Sequence, residues 1–171
     1  MSELDTFFDN LVAASPVLSG TNTVIAGREI SFWVAGVPQP GGSKKGFYNP
    51  KLGRVMITED NKRCAPWRAA VSQAAMEATS TMLEGPLRLH FSFVMPRPKG
   101  HFGTGKKAGM LKPSAPQFPA QRPDASKLTR SSEDALKGIL WRDDSQIVTQ
   151  VITKRYGAQA GLMVTVTPEK Q

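Results

Sequence analysis

The stretch RPDASKLTRSSEDALKGILWRDDSQIVTQVITKRY, residues 122–156, decides how this chain folds. In its first half Leu128, Ser132, Ala135, Leu136 and Ile139 fall within about 100° of arc at 3.6 residues per turn, so one helix face is built to be buried. Asp124 precedes this helix, which the pattern predicts from about Ala125 to Gly138. Ile139–Trp141 follow, Asp143 and Asp144 form a turn, and Gln146–Tyr156 reads as a strand. A helix delivered straight into a strand implies an α/β domain. The same stretch holds five acidic residues, Asp124, Glu133, Asp134, Asp143 and Asp144, in a chain whose net charge is +8. Carboxylates concentrated in a basic protein need a physical reason.

Working outward, Arg28–Val37 alternates as a strand, with Ile30, Phe32 and Val34 on one face. Leu87, Leu89, Phe91 and Phe93 alternate with Arg88, His90 and Ser92, and Leu162, Val164 and Val166 mark a last strand over Gly161–Thr167. Between them Val55–Thr58 reads as a short strand. A helix over about 65–82 opens with Pro66, whose missing N–H costs nothing in a first turn, and carries Trp67, Ala70, Val71, Ala74 and Ala78 at helical spacing. The resulting order, β-(β)-α-β-α-β-β, predicts a single α/β domain over 28–171, with a mixed sheet packed against two main helices. Residues 1–27 read as an extension: an amphipathic segment with Leu4, Phe7, Phe8 and Leu11 on one side, then a Ser/Thr/Gly/Pro-rich linker.

A pI near 9.9 predicts an anionic partner, with nucleic acid the leading class. No apolar run approaches the ~18 residues that span a bilayer. The acidic start MSELDTFFDNL lacks a basic region and a cleavage site, so a cytoplasmic location is expected. Cys64, the single cysteine, reads as a core filler, Trp67 as core and His90 as a surface or interface histidine.

Two segments concentrate the positive charge. The first, PQPGGSKKGFYNPKLGR, reads as a loop in which Lys44, Lys45, Lys51 and Arg54 surround Phe47 and Tyr48, a mixture suited to phosphate contact and base stacking. A solvated hairpin loop is the plain alternative. The second, residues 97–121, holds Arg97, Lys99, Lys106, Lys107 and Lys112 without one acidic residue. It reads as a flexible basic arm that clamps phosphates, against the alternative of a loop without a role.

Mg²⁺ or Mn²⁺ takes hard oxygen donors and is held by a few carboxylates together with substrate phosphate. In nuclease chemistry such an ion polarises the phosphate and positions the attacking hydroxide, while a nearby Lys or Arg offsets transition-state charge. Asp124, the Glu133/Asp134 pair and the Asp143/Asp144 pair converge only if the helix folds back so that its ends meet the turn. Spacing leaves a plainer reading open. In it Asp124 caps the helix, Glu133 and Asp134 pair with Arg130 and Lys137 along it, and Asp143-Asp144-Ser145 is a turn.

The run PDASKLTRSSEDALKGILWRDDSQI resembles the signature of the RusA-type Holliday junction resolvases, roughly D-x-D-N/K-L-x-K/R-x-x-x-D-A-L followed by D-D-S/A-Q-I/V leading into a strand. Weaker similarity spans Ile30 to Thr167, including a first strand that ends in V-P-x-P. The resemblance implies a RusA-like fold and a Mg²⁺- or Mn²⁺-dependent endodeoxyribonuclease. Such an enzyme binds branched DNA, four-way junctions above all, as a homodimer and nicks two opposing strands. It implies no organic cofactor and no membrane partner, in a bacterial or phage-infected cell. By position it makes Asp124 and Asp144 metal-binding and catalytic, puts Asp143 beside them, and sets Arg130 where a catalytic Lys usually stands. Asp134 matches the aspartate of D-A-L, and Lys127 follows the second aspartate of the pattern. With Arg122 and Lys137, Lys127 joins the cations expected to meet DNA.

That second aspartate falls at Ser126 here, and a hydroxyl is a far poorer metal ligand. Three accounts compete. Glu133, seven residues on and within about 20° around the helix, supplies the missing carboxylate as a metal-binding and catalytic residue. Alternatively the chain binds junctions without cutting them, or Ser126 is an introduced substitution. The first is the favoured expectation.

Overall fold

The structure, a computed structural model, describes residues 29–42, 44–59 and 61–170. The extension expected over 1–27 lies outside the described residues. The elements are β1 (Ile30–Ala35), β2 (Lys44–Asn49), β3 (Arg54–Glu59), α1 (Cys64–Ala78), β4 (Leu87–Pro96), α2 (Ala125–Leu136), β5 (Ile147–Gly157) and β6 (Gly161–Pro168). Four strands form one sheet in the order β1-β6-β4-β5, parallel between β4 and β5 and antiparallel elsewhere. The expected mixed sheet and its two helices are both present.

Alternation fixes which face is buried. Leu87, Leu89, Phe91 and Phe93 of β4 lie beside Leu162, Val164 and Val166 of β6, all 0 % exposed. Each such side chain contributes about 1.5–3 kcal/mol by leaving water. Both helices close over this face, with Trp67, Val71 and Ala75 from α1 and Leu128, Ala135 and Leu136 from α2. The helices approach closely because α2 meets α1 with small polar residues. Ser72 Oγ donates to the Ala135 carbonyl at 2.8 Å, and Cys64 Sγ lies 3.2 Å from Ser131 Oγ. Cys64 is thus a buried filler, as expected.

The helix ends fall short of the sequence estimate. The first stops at Ala78, and the second at Leu136 rather than Gly138. Gly138 adopts φ +81°, a conformation that favours glycine, and its N–H meets the Trp141 carbonyl at 2.7 Å. This tight reversal buries Leu140 and Trp141 completely.

The segment read as a basic loop is instead half of a two-stranded ribbon. β2 and β3 pair with each other, Phe47 opposite Met56 and Tyr48 opposite Val55, and neither joins the main sheet. Phe47, Tyr48 and Val55 remain 49 %, 63 % and 63 % exposed, so these three side chains add no core to the backbone pairing of the ribbon. The segment between β4 and α2 folds on itself through local bonds. Gly103 N–H meets the Met110 carbonyl at 2.9 Å, and Lys112 Nζ meets the Gly100 carbonyl at 2.8 Å. No helix among the described residues is long and apolar enough to cross a membrane.

Candidate active site

The acidic turn is tightly organised by side-chain hydrogen bonds. Asp143 Oδ1 accepts the Ser145 N–H at 3.0 Å, and Gln146 Oε1 accepts the backbone N–H of Arg142 and Asp143 at 2.8 and 3.2 Å. Gln146 Nε2 in turn donates to the Leu83 and Gly85 carbonyls at 3.1 and 3.2 Å, tying the turn to the segment before β4. The buried Trp141 ring sends its Nε1–H to Asp144 Oδ1 at 2.9 Å. One oxygen of each aspartate is therefore fixed by the protein. The other oxygen of each faces a single cation, Lys137 Nζ, 3.0 Å from Asp143 Oδ2 and 3.2 Å from Asp144 Oδ2.

The electrostatics follow from these bonds. Hydrogen bonds from the Ser145 N–H first, then from Lys137, hold the Asp143 carboxyl down at about 2. The Lys137 ammonium is raised above its ordinary value by its bonds to Asp143 and then Asp144. Glu133 goes the other way. Burial pushes its carboxyl up, the Gln150 hydrogen bond opposes that, and the negative charges of Asp144 and then Asp134 add to the rise. Glu133 therefore shares an electrostatic neighbourhood with the acidic turn.

Neither Glu133 nor Asp134 makes the helix-surface pairs expected of an ordinary solvated face. Gln150 Nε2 on β5 donates to Glu133 Oε1, and Asp134 pairs with Arg68 of α1 at 3.2 Å. Asp124 occupies the position before α2 without capping it. Its carboxylate, half exposed, lies 3.4 Å from Lys127 Nζ. It borders a cavity of about 440 Å³ lined by Pro38, Gln39, Asn61, Arg122 and Lys127. Ser126 is exposed in the first turn, and Arg130 is exposed and unpaired among the described residues.

α2 runs antiparallel to β5. Lys154 Nζ meets the Gln121 and Pro123 carbonyls at 2.9 Å each near the helix start, Gln150 meets Glu133 further along, and Lys137 meets the turn at the end. An unbroken helix of 12 residues is about 18 Å long. Asp124 and the Asp143–Asp144 pair therefore stand at opposite ends of α2, and the helix does not fold back. Among the described residues no three His, Cys, Asp or Glu side chains gather at metal-binding distance. The donor chemistry nevertheless suits a hard cation at the turn, where two carboxylate oxygens already converge on an ammonium.

Of the other basic candidates, Lys51, Arg54, Lys99, Lys106 and Lys107 are exposed and without an ion pair among the described residues. Lys44 and Lys45 lie on β2. Arg97 stacks 4.6 Å over the Tyr156 ring and donates to the Pro116 carbonyl, so it anchors the arm to β5. Sequence reasoning missed Trp141, Gln150 and Lys154. A signal existed for the last two: Gln150 and Lys154 are polar residues at even spacing on the face of β5 that also carries Ile152, the helix-facing side.

The family described as "Endodeoxyribonuclease RusA" matches residues 39–167. A Bacillus subtilis (strain 168) protein called "Uncharacterized protein YqaN" is 25 % identical over 142 residues, covering 80 % of this chain and 94 % of its own. The family match begins just after β1 and runs through the cavity beside Asp124, both helices and the acidic turn to the end of β6. This chain belongs to the RusA endodeoxyribonuclease family.

Proposed function

We propose that this chain is a Mg²⁺- or Mn²⁺-dependent, structure-specific endodeoxyribonuclease that acts on four-way and other branched DNA by paired nicks. Family membership supports the class of activity. The observation that carries the metal dependence is the convergence of Asp143 Oδ2 and Asp144 Oδ2 on one cation in a chain of net charge +8. A bound divalent ion supplies Lewis-acid activation of the phosphate and of water. The chain's own residues do the rest. Trp141 and Ser145 fix the outer oxygens of the two aspartates, Glu133 adds negative charge beside Asp144, and Arg130 offers an unpaired cation for the scissile phosphate.

The separation of Asp124 from Asp144 along α2 supports a homodimer. Asp124 and Asp144 would hold one ion together only if a second copy supplied one of them, and an isologous pair would present two such sites to two strands. The exposed cations of the β2–β3 ribbon and of the arm then hold backbone phosphate.

The test is full-length protein on a synthetic four-way junction, with Mg²⁺ or Mn²⁺ against chelator, beside Asp144→Asn. Symmetric metal-dependent nicks lost in Asp144→Asn are expected. A shifted junction without nicks in either metal supports the second reading, a junction-binding protein without cleavage, which the exposed Ser126 hydroxyl favours. Neither shift nor nicks refutes both.

A further inference from the structure

We infer that Lys137 is the resident counter-cation of the acidic turn, occupying the place between Asp143 and Asp144 that a divalent ion takes over by displacing it. The inference rests on the turn being a cation site, as proposed above, and adds that metal enters it by exchange.

The geometry gives the sign of the effect. Lys137 Nζ lies 3.0 and 3.2 Å from the two Oδ2 atoms, so an ion bridging those oxygens and the ammonium compete for one position. The orientation of the carboxylates does not depend on Lys137. Asp144 Oδ1 is held by Trp141 Nε1 at 2.9 Å and Asp143 Oδ1 by the Ser145 N–H at 3.0 Å. The backbone of the turn is held separately by Gln146. Removing the ammonium leaves two oriented carboxylates facing each other with nothing between them, and their repulsion is relieved by a metal cation. Had Lys137 been the sole partner of both aspartates, its removal would let them swing apart and the opposite sign would follow. The ammonium sits on a flexible four-carbon stem and is 43 % exposed, so it can leave without disturbing the core. An arginine offers the same charge and retains the competition.

The experiment is equilibrium binding of Tb³⁺ and of Mn²⁺ alone to the full chain without DNA. Tb³⁺ is read by luminescence sensitised through Trp141, and Mn²⁺ by the loss of its free electron-spin signal. The proteins are wild type, Lys137→Gln, Lys137→Arg, Asp144→Asn and the Lys137→Gln/Asp144→Asn double variant. Two exposed ion pairs correspond to a gain of about three- to tenfold in metal affinity for Lys137→Gln. Lys137→Arg stays within about twofold of wild type, and Asp144→Asn abolishes the gain. Equal or weaker binding by Lys137→Gln overturns the exchange inference while leaving the metal site standing. A gain that persists in the double variant overturns it too, since the ion then binds elsewhere. Absence of binding in every protein overturns the metal reading itself and the inference with it.

Discussion

Replacing Lys154 with methionine isolates the contact that holds the start of α2. The ammonium donates to the Gln121 and Pro123 carbonyls at 2.9 Å each, bracketing the bend through which the chain leaves the basic arm and reaches Asp124. Methionine keeps the aliphatic stem on β5 and removes only the charged donor. A hydrogen bond with one charged partner contributes about 1.5–3 kcal/mol, and half-burial of this side chain lowers the pair to about 2 kcal/mol together. For a domain of this size that is a fall of about 4–8 °C in the thermal midpoint. Releasing the bend also moves Asp124, and a shift of about 1 Å at a reacting centre slows chemistry by up to about 100-fold. Thermal unfolding checks the first figure, and single-turnover cleavage of a four-way junction at saturating protein checks the second. Junction affinity is expected to stay within about threefold, since the cations proposed to meet phosphate are untouched. An unchanged midpoint refutes the assignment of the two bonds. A lowered midpoint with full cleavage rate refutes the coupling of Lys154 to Asp124.

Further outcomes follow from the same geometry. Glu133→Gln keeps an acceptor for Gln150 but loses the charge, so metal-dependent nicking falls about 10- to 100-fold with junction binding intact. The folded Glu133 carboxyl titrates above its unfolded value of 4.5, so between the two values the folded state holds more protons and stability declines as pH rises; Glu133→Gln abolishes that decline in urea unfolding from about pH 4 to 8. Asp143 shows the reverse sign. Its stabilisation is present above the unfolded value of 3.8 and is lost as pH falls toward about 2, so Asp143→Asn flattens acid unfolding in that window. Replacing Lys51 and Arg54 together with glutamine weakens junction binding and lowers the slope of log affinity against log salt by about two units, a competition assay over several salt concentrations being the measurement.

How much of this was legible in the residues differs by element. The sheet was readable because β4 and β6 each bury one face, so Leu87, Leu89, Phe91 and Phe93 and their β6 neighbours repeat with period two. Of the ribbon only β3 was readable, as the short strand Val55–Thr58; β2 was not, because Phe47 and Tyr48 both stay exposed and an unburied strand leaves no apolar period. Within the site, Asp143 as a turn residue was readable from Asp-Asp-Ser, and its Ser145 bond bears that out. The separation of Asp124 from Asp144 was not readable, since it depends on α2 running antiparallel to β5, a fact of packing. Lys137 was read as a DNA contact from its charge. Its place on two aspartates follows from the Gly138 reversal, which brings the chain after α2 back beneath the helix end.

The length of α2 has a consequence of its own. A rigid rod with Asp124 at one end and the acidic turn at the other acts as a ruler, fixing how far apart two sets of charge are presented to a partner. Inserting one helical turn would lengthen that ruler by about 5.4 Å while leaving the chemistry at each end as it was. The spacing between the two ends is thus an inherited dimension of the chain, separable from the identity of the residues it carries.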